Sequence, residues 1–421
     1  MRGPASSSGP ANRSSTGIDE PPRTERGVLG VTMFGVLLAS YVVNAMDRQL
    51  FPLVAPDVRR EYGFSLGGVG LLSTVFTLGM AVAGAPTGIL LARVSRRAAL
   101  LAGIALFSAG TGLTVLSRGF ADMLVYRTLT GVGEAMQLTV LLAIAANAFV
   151  RYRAAALGAV NFSFALGAIV SPVLGGALLG MYGTWRAPMI VFALLGLAAM
   201  ALIAIVVEPS LTEGDNTTVM RSRDDGAAAL VNRNTILLTA MSLLGGLVIY
   251  GYLGLYPTFL REGLGYSPAS AGFVMSLYGL GALASIAGGW IGDRGSPRIV
   301  LSATFCAAAI LGYLLFNGSS ATYWQASLSF AWGVVVSGVV YVNLAGYHVK
   351  AVRAELAGRA SGVFVTSLYL SAAVAGYSMG WMANRSGWAT AGTIQLSLCS
   401  LAAAGLALAL RNPPYTPGHR R

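Results

Sequence analysis

Apolar stretches of about 20 or more residues, each long enough as a helix to cross roughly 30 Å of hydrocarbon, recur along nearly the whole chain. They constrain the fold more than any other feature. Twelve are read from the sequence, at 28–58, 66–92, 98–117, 120–149, 154–181, 186–207, 235–260, 268–291, 298–316, 322–348, 356–383 and 388–410. The expected fold class is an all-α membrane protein with twelve transmembrane helices. Composition agrees with this: 55% of the 421 residues are hydrophobic and 10% are charged, too apolar and charge-poor for a soluble protein.

Basic residues in the loops set the orientation. With the N-terminus in the cytoplasm, 20 of the 28 lysines and arginines fall in cytoplasmic segments, six fall outside and two lie within spans. Both termini are therefore expected in the cytoplasm, at the inner (plasma) membrane. The net charge of +12 is not a nucleic-acid footprint, because a DNA binder gathers its basic residues on one face and here alternate short loops share them. The lipid bilayer is the expected partner. Residues 1–27, rich in Ser, Pro, Gly and Arg, read as a disordered cytoplasmic tail, and the apolar stretch that follows is too long for a signal-peptide core. Cys306 and Cys399 fall inside spans and read as small core residues rather than a disulfide framework.

A polar segment at 209–234 separates a six-span block at 28–208 from a second at 235–410, with a cytoplasmic tail at 411–421. A linker of this kind joins two bundles that move relative to each other. The halves also repeat. Arg60-Glu61 followed by Gly63-Phe64-Ser65 reappears as Arg261-Glu262 followed by Gly265-Tyr266-Ser267, and the stretch from Gly88 to Arg97 aligns with Gly289 to Arg298 at an offset of 201. Two pseudo-symmetric six-helix bundles are expected.

Four ionisable residues sit where hydrocarbon should be: Asp47 and Arg48 in the first span, Arg127 and Glu134 in the fourth. Charge at bilayer depth is costly, so such residues face a partner or a water-filled cavity and are functional candidates by default. Positions 127, 131 and 134 share one helix face at spacings of four and three.

Three motifs carry a family resemblance. The loop after span eight keeps Gly289, Asp293, Arg294, Ser296 and Arg298 of a G-x-x-x-D-R-x-G-x-R pattern, and the loop after span two keeps Gly88, Arg93, Arg96 and Arg97, with Ala92 in place of the acid and Ser95 in place of the glycine. Span four has Arg127, Gly131, Gly133 and Glu134 in the pattern R-x-x-x-G-x-G-E. Span five has Gly158, Gly167, Ser171, Pro172, Gly175 and Gly176, small residues that let helix backbones approach closely. The chain resembles the major facilitator superfamily over essentially its full length after residue 26. The Asp47-Arg48 pair with Glu134 is similar to the anion:cation symporter branch, and the Spinster branch has a similar trio.

The resemblance implies a secondary active transporter, a proton-coupled symporter importing a small organic anion by alternating access. Its alternative is a proton-driven exporter of drug-like or lysolipid cargo. Arg48 is the expected contact for a substrate carboxylate, since guanidinium offers forked, charge-assisted hydrogen bonds, and Asp47 and Glu134 are the expected proton carriers. An anion that captures Arg48 removes the partner that favours a charged carboxylate nearby, and so couples binding to proton uptake. Asn44, Asn161, Tyr252, Asn343 and Ser367 are further substrate candidates by depth, from a set that includes Tyr250, Tyr256, Tyr278, Tyr341, Tyr369 and Ser371. Arg127, Arg93, Asp293, Arg294 and Arg298 are expected in gating or structural roles, and ion pairing of Arg127 with Glu134 or Asp47 with Arg48 is the purely structural reading. His348, beside Lys350, reads as an interface residue.

No cofactor is expected apart from the proton as coupling ion, and no metal. Two histidines, one of them in the C-terminal tail, and no cysteine pair at ligand spacing leave no enzymatic constellation. With no G-x-x-x-x-G-K loop and only one lysine, Lys350, direct ATP drive is also disfavoured. A monomer is expected. By family analogy the missing acid at Ala92 weakens the lock that holds the outward-facing state. Ala92→Asp is therefore expected to raise the outward-facing population, and unchanged outward and inward cysteine accessibility would count against that role.

Overall fold

The computed structural model describes residues 23–91, 93–149, 152–213 and 226–411. The first 22 residues of the expected tail, Ala92, the middle of the expected linker and the last ten residues lie outside the described residues. The helices are α1 (Arg23–Tyr62), α2 (Leu66–Leu90), α3 (Arg96–Thr114), α4 (Phe120–Ala148), α5 (Arg153–Tyr182), α6 (Arg186–Val206), α7 (Arg233–Gly263), α8 (Pro268–Arg294), α9 (Pro297–Asn317) and α10 (Thr322–Lys350). A last helical run, Ala357–Leu408, has 52 residues, about 78 Å at 1.5 Å per residue and more than two bilayer crossings. It is broken at Gly387, where φ is 80° and ψ is 165°, backbone angles that glycine adopts freely. The run is thus α11 (357–386) and α12 (388–408), and eleven apolar runs make twelve passes. The start of α1 at Arg23 precedes the expected boundary at 28.

The repeat has a structural cause. Gly63 and Gly265 both take positive φ, 67° and 73°, and end α1 and α7. Two residues later Ser65 and Ser267 cap α2 and α8, accepting hydrogen bonds from the backbone N–H groups of Gly68 and Ser270.

Two seams of small residues join the halves. Along α2 and α11, a Cβ added at Gly70 would lie 2.1 Å from the Gly376 carbonyl oxygen, and one at Gly380 would lie 2.4 Å from that of Leu66. Along α8 and α5, a Cβ at Gly272 would lie 2.2 Å from the Pro172 oxygen, and one at Gly176 would lie 2.7 Å from that of Pro268. The seams are copies of each other, offset by 202 residues in α2 and α8 and by 204 in α5 and α11. Thr74 adds a hydrogen bond to the Ala373 oxygen, and Thr77 one to the Tyr369 oxygen.

Both seams lie toward the membrane face that bears the α1–α2 and α7–α8 turns. There Asp57 pairs with Arg261, and Arg59 Nη1 lies 2.7 Å from Glu262 Oε2, so that each half gives one acid and one base to a latch. Toward the other face, which carries residues 207–213 and 226–232 on the linker side, the seams open. Asn161 is exposed, although Ala168 and Pro172 on the same stripe of α5 are covered by Gly279 and Gly272 of α8. Gly84 of α2 and Gly362 of α11, two turns beyond the contacts of Thr77 and Tyr369, have open space beside them. The molecule is therefore closed at the face opposite the linker and parted on the linker side.

Gly376→Leu should prevent closure of the α2–α11 seam, whereas Gly362→Leu, facing open space, should not. Labelling of a cysteine at Thr74 from the latch face should rise several-fold in the first variant only. Equal labelling in both would remove the role given to the seam.

Candidate functional site

Asp47 and Arg48 are neighbours on α1, about 100° apart around the helix. Arg127 and Glu134 lie two turns apart on one face of α4. The ion pairs cross between the helices instead of forming along either one: Arg48 Nε lies 3.1 Å from Glu134 Oε2, and Arg127 Nη1 lies 3.5 Å from Asp47 Oδ2. Side chains on a helix lean toward its N-terminus, so Arg48 reaches back one turn and donates from Nη2 to Asn44 Oδ1 at 2.7 Å. Neither alternative of the purely structural reading, Arg127 with Glu134 or Asp47 with Arg48, is the pairing observed.

All four groups are buried, Arg127 and Glu134 at 0% exposure, Asp47 at 2% and Arg48 at 5%. Two cations and two anions leave the cluster neutral. Thr111 of α3 donates to Asp47 Oδ1 at 2.7 Å. Arg127 is sandwiched over the rings of Phe51 and Phe76, 4.9 and 5.6 Å from their centroids, which supply quadrupole attraction where water is absent.

From Arg48 a directed chain of hydrogen bonds runs toward the linker side. Asn44 donates to Gln137 Oε1 at 2.8 Å, Gln137 donates to Ser40 Oγ at 3.0 Å, and Ser40 donates to the Leu37 carbonyl at 2.6 Å. This chain fixes Asn44 as the holder of Arg48. Beyond Arg48 the second half presents neutral aromatic groups. Tyr250 and Tyr369 pair edge to face at 5.9 Å, Tyr250 meets Phe76 across the halves at 6.2 Å, and the Tyr341 and Tyr369 hydroxyls are 3.5 Å apart. Arg48, Gln49, Phe76, Phe164 and Tyr250 are among the residues lining a cavity of about 10 Å³ between the halves, room for about one water. A larger hollow of about 310 Å³ lies at the latch face, where Glu61 is already bonded to Trp185 and Arg186.

The family description Major Facilitator Superfamily matches residues 37–376, which include this cluster, the α5–α8 seam and the Gly70–Gly376 contact of the other. The chain belongs to the major facilitator superfamily. It is 27% identical over 342 residues to a putative metabolite transport protein of Haemophilus influenzae, covering 78% of this chain and 76% of that one. A hexuronate transporter of Bacillus subtilis is 23% identical over 299 residues, 66% of this chain and 70% of that one. Protein spinster of Drosophila melanogaster is 26% identical over 259 residues, 60% of this chain and 43% of that protein, so the match spans less than half of that relative. The fold superposes with a TM-score of 0.68 on a bacterial homolog of the human lysosomal transporter Spinster in an inward-facing and occupied conformation, at 15% identity over 90% of this chain and 94% of that one. This major facilitator protein is a multi-pass membrane transporter and not an enzyme.

The remaining expected residues are dispersed. Tyr252 is stacked on Tyr256 at 4.6 Å and bonded to Ser329 inside the second bundle. Asn343 donates to the Gly288 and Val339 carbonyls, and Ser367 to that of Phe364. Asp293 pairs with Lys350 at 2.6 Å, Arg294 lies over Trp290, Arg298 donates to the Leu410 oxygen, and Arg93 is exposed. Two sequence expectations are corrected: Cys306 is exposed on α9 rather than in the core, and His348 is fully buried, with Nδ1 2.8 Å from the Leu344 oxygen and its ring against Phe364. Gln137 and Thr111 had not been singled out. The signal for Gln137 was its position three residues after Glu134 on the same helix face, whereas nothing local marks Thr111.

Removing one member of a buried ion pair costs about 3–5 kcal/mol, because the other is left without a countercharge. Asp47→Ala is expected to destabilise the protein by that amount in detergent unfolding, and Asp47→Ala with Arg127→Met to recover most of it. An additive double variant would mean that the pair does not couple.

Proposed function

We propose that the protein is a proton-coupled symporter that imports a small organic anion, a carboxylate, by alternating access. It works as a monomer in the inner membrane with both termini cytoplasmic. The observation that carries this reading is the crossed, neutral set of ion pairs with Arg48 at its edge, facing the cavity between the halves. In this orientation the linker face is cytoplasmic and the described state is inward-facing.

Among the described residues, Arg48 is the only cation on the cavity wall. An anion that takes its guanidinium competes directly with Glu134, and a carboxylate deprived of its arginine in a water-poor site is favoured to bind a proton. Glu134 then passes charge neutrality to the loaded state, with Asp47 in the same crossed set of ion pairs to share the proton. Loading thus cancels the charge that would otherwise oppose rocking of the bundles, and the halves move about the site. Asn44 holds Arg48, Asn161 stands on the cytoplasmic approach, and Tyr252, Asn343 and Ser367 brace the second bundle from within. Arg127 with Asp47 anchors α4 to α1, while Asp293, Arg294, Arg298 and Arg93 act at the linker-face gate.

The similarity to the Bacillus subtilis hexuronate transporter supports an acidic substrate. A second reading, proton-driven export of drug-like or lysolipid cargo, is supported by the resemblance to the Spinster branch. Direction separates the two. In proteoliposomes with an imposed inward proton gradient, a carboxylate identified by thermal-shift screening should accumulate. Glu134→Gln should abolish accumulation yet retain exchange, and full gradient-driven accumulation by that variant would defeat the coupling role.

A further inference from the structure

The wall around Arg48 carries more information than its charge. Arg48 is already ion-paired with Glu134 and donates Nη2 to Asn44, and its guanidinium lies over the Tyr41 ring at 5.9 Å and borders the cavity, so its remaining edge is what cargo meets. Two polar side chains on the same wall, Gln49 at 5% exposure and Tyr250 at 8%, make no hydrogen bond to any described residue. Their polar atoms are reached by solvent rather than sealed, and both residues border the cavity, so they are open to a partner from cargo. The other polar group there, Ser73, already donates to the Val69 oxygen. The rest is flat and apolar: Phe76 and Tyr250 meet edge to face, and Phe164 lies under the Arg48 guanidinium at 5.9 Å.

We propose that the cargo is a hydroxylated aryl carboxylate, whose acid group meets Arg48, whose ring lies among Phe76, Phe164 and Tyr250, and whose hydroxyl is bonded by Gln49 and Tyr250. This rests on the anion reading of the same site. A sugar acid would bring several hydroxyls to a wall with two free polar partners, and each unmatched one would lose its hydrogen bonds to water. A phosphomonoester carries about −1.5 to −2 charge, more than one arginine balances, and the next cation of the cluster, Arg127, is sealed at 0% exposure behind Phe51 and Phe76. The cavity is contracted in this state, so wall chemistry rather than volume identifies the cargo.

The full-length protein in nanodiscs, titrated by thermal shift, tests this with 4-hydroxybenzoate, benzoate, cyclohexanecarboxylate, glucuronate, inorganic phosphate and benzyl alcohol. One matched hydrogen bond makes 4-hydroxybenzoate about fivefold tighter than benzoate, and ring stacking makes benzoate about fivefold tighter than cyclohexanecarboxylate. Tyr250→Phe, which keeps the ring, should lower 4-hydroxybenzoate affinity about fivefold more than benzoate affinity. Glucuronate or phosphate binding tightest, or benzoate and cyclohexanecarboxylate binding alike, overturns the aryl class but leaves an anion carrier. Benzyl alcohol binding as tightly as benzoate overturns the anion reading and this inference with it.

Discussion

The structure depends on the burial of two ion pairs where α1 crosses α4. Moving a carboxylate or a guanidinium from water into a medium of low dielectric costs of order 20 kcal/mol in the idealised limit, and several kcal/mol after relaxation. No part of the bilayer repays that, so each charge must find its opposite within the protein. Crossing the pairs, Asp47 to Arg127 and Arg48 to Glu134, gives each of the four an opposite charge across one helix contact. It also makes α1 and α4 a unit, because sliding one along the other would strand both pairs at once. The first half therefore carries the charged site as a rigid body, and the second half faces it with neutral tyrosines that can be withdrawn without breaking an ion pair.

Closure between the halves obeys a different constraint. Helices with no hydrophobic drive to associate in lipid hold together through close backbone approach, and at the α2–α11 and α5–α8 seams glycine permits carbonyl contact. Both seams stop near the level of the charged cluster, at Tyr369 on one side and Gly279 on the other. Beyond that level the same stripes carry Asn161, Gly84 and Gly362 into open space. The salt bridges at the far end hold the closed face shut from its rim, so the closing elements and the charged site occupy different levels of the molecule.

The sequence made the passes and the repeat legible because both are written in local terms. Apolar length sets the span, and the Gly-x-Ser after α1 and after α7 records a left-handed stop followed by an N-cap. The four charged residues were legible for the same reason, since no hydrocarbon position tolerates them idly. Which charge meets which was not legible: it depends on the lean of Arg48 toward Asn44 and on the register of two helices distant in sequence. Nor was the choice of tyrosine. Depth favoured Tyr252, but Tyr250 is two residues away and so about 200° around α7, enough to separate the cavity wall from the aromatic interior of the second bundle. Thr111 had no local mark, because a threonine in an apolar helix is unremarkable until Asp47 lies opposite it.

Placing Asp47, Arg48, Arg127 and Glu134 all in one half has a consequence for coupling. If the acids faced Arg48 from the second half, every opening of the cavity would separate the pair and expose both charges to the same solvent, and protonation would follow the gate whether or not cargo was present. With Glu134 and Arg48 on helices that move together, opening alone changes nothing between them. Only a competing anion can draw the guanidinium away, so on the proposed mechanism proton uptake answers to cargo rather than to motion. That ordering is what a symporter needs to avoid an uncoupled proton leak.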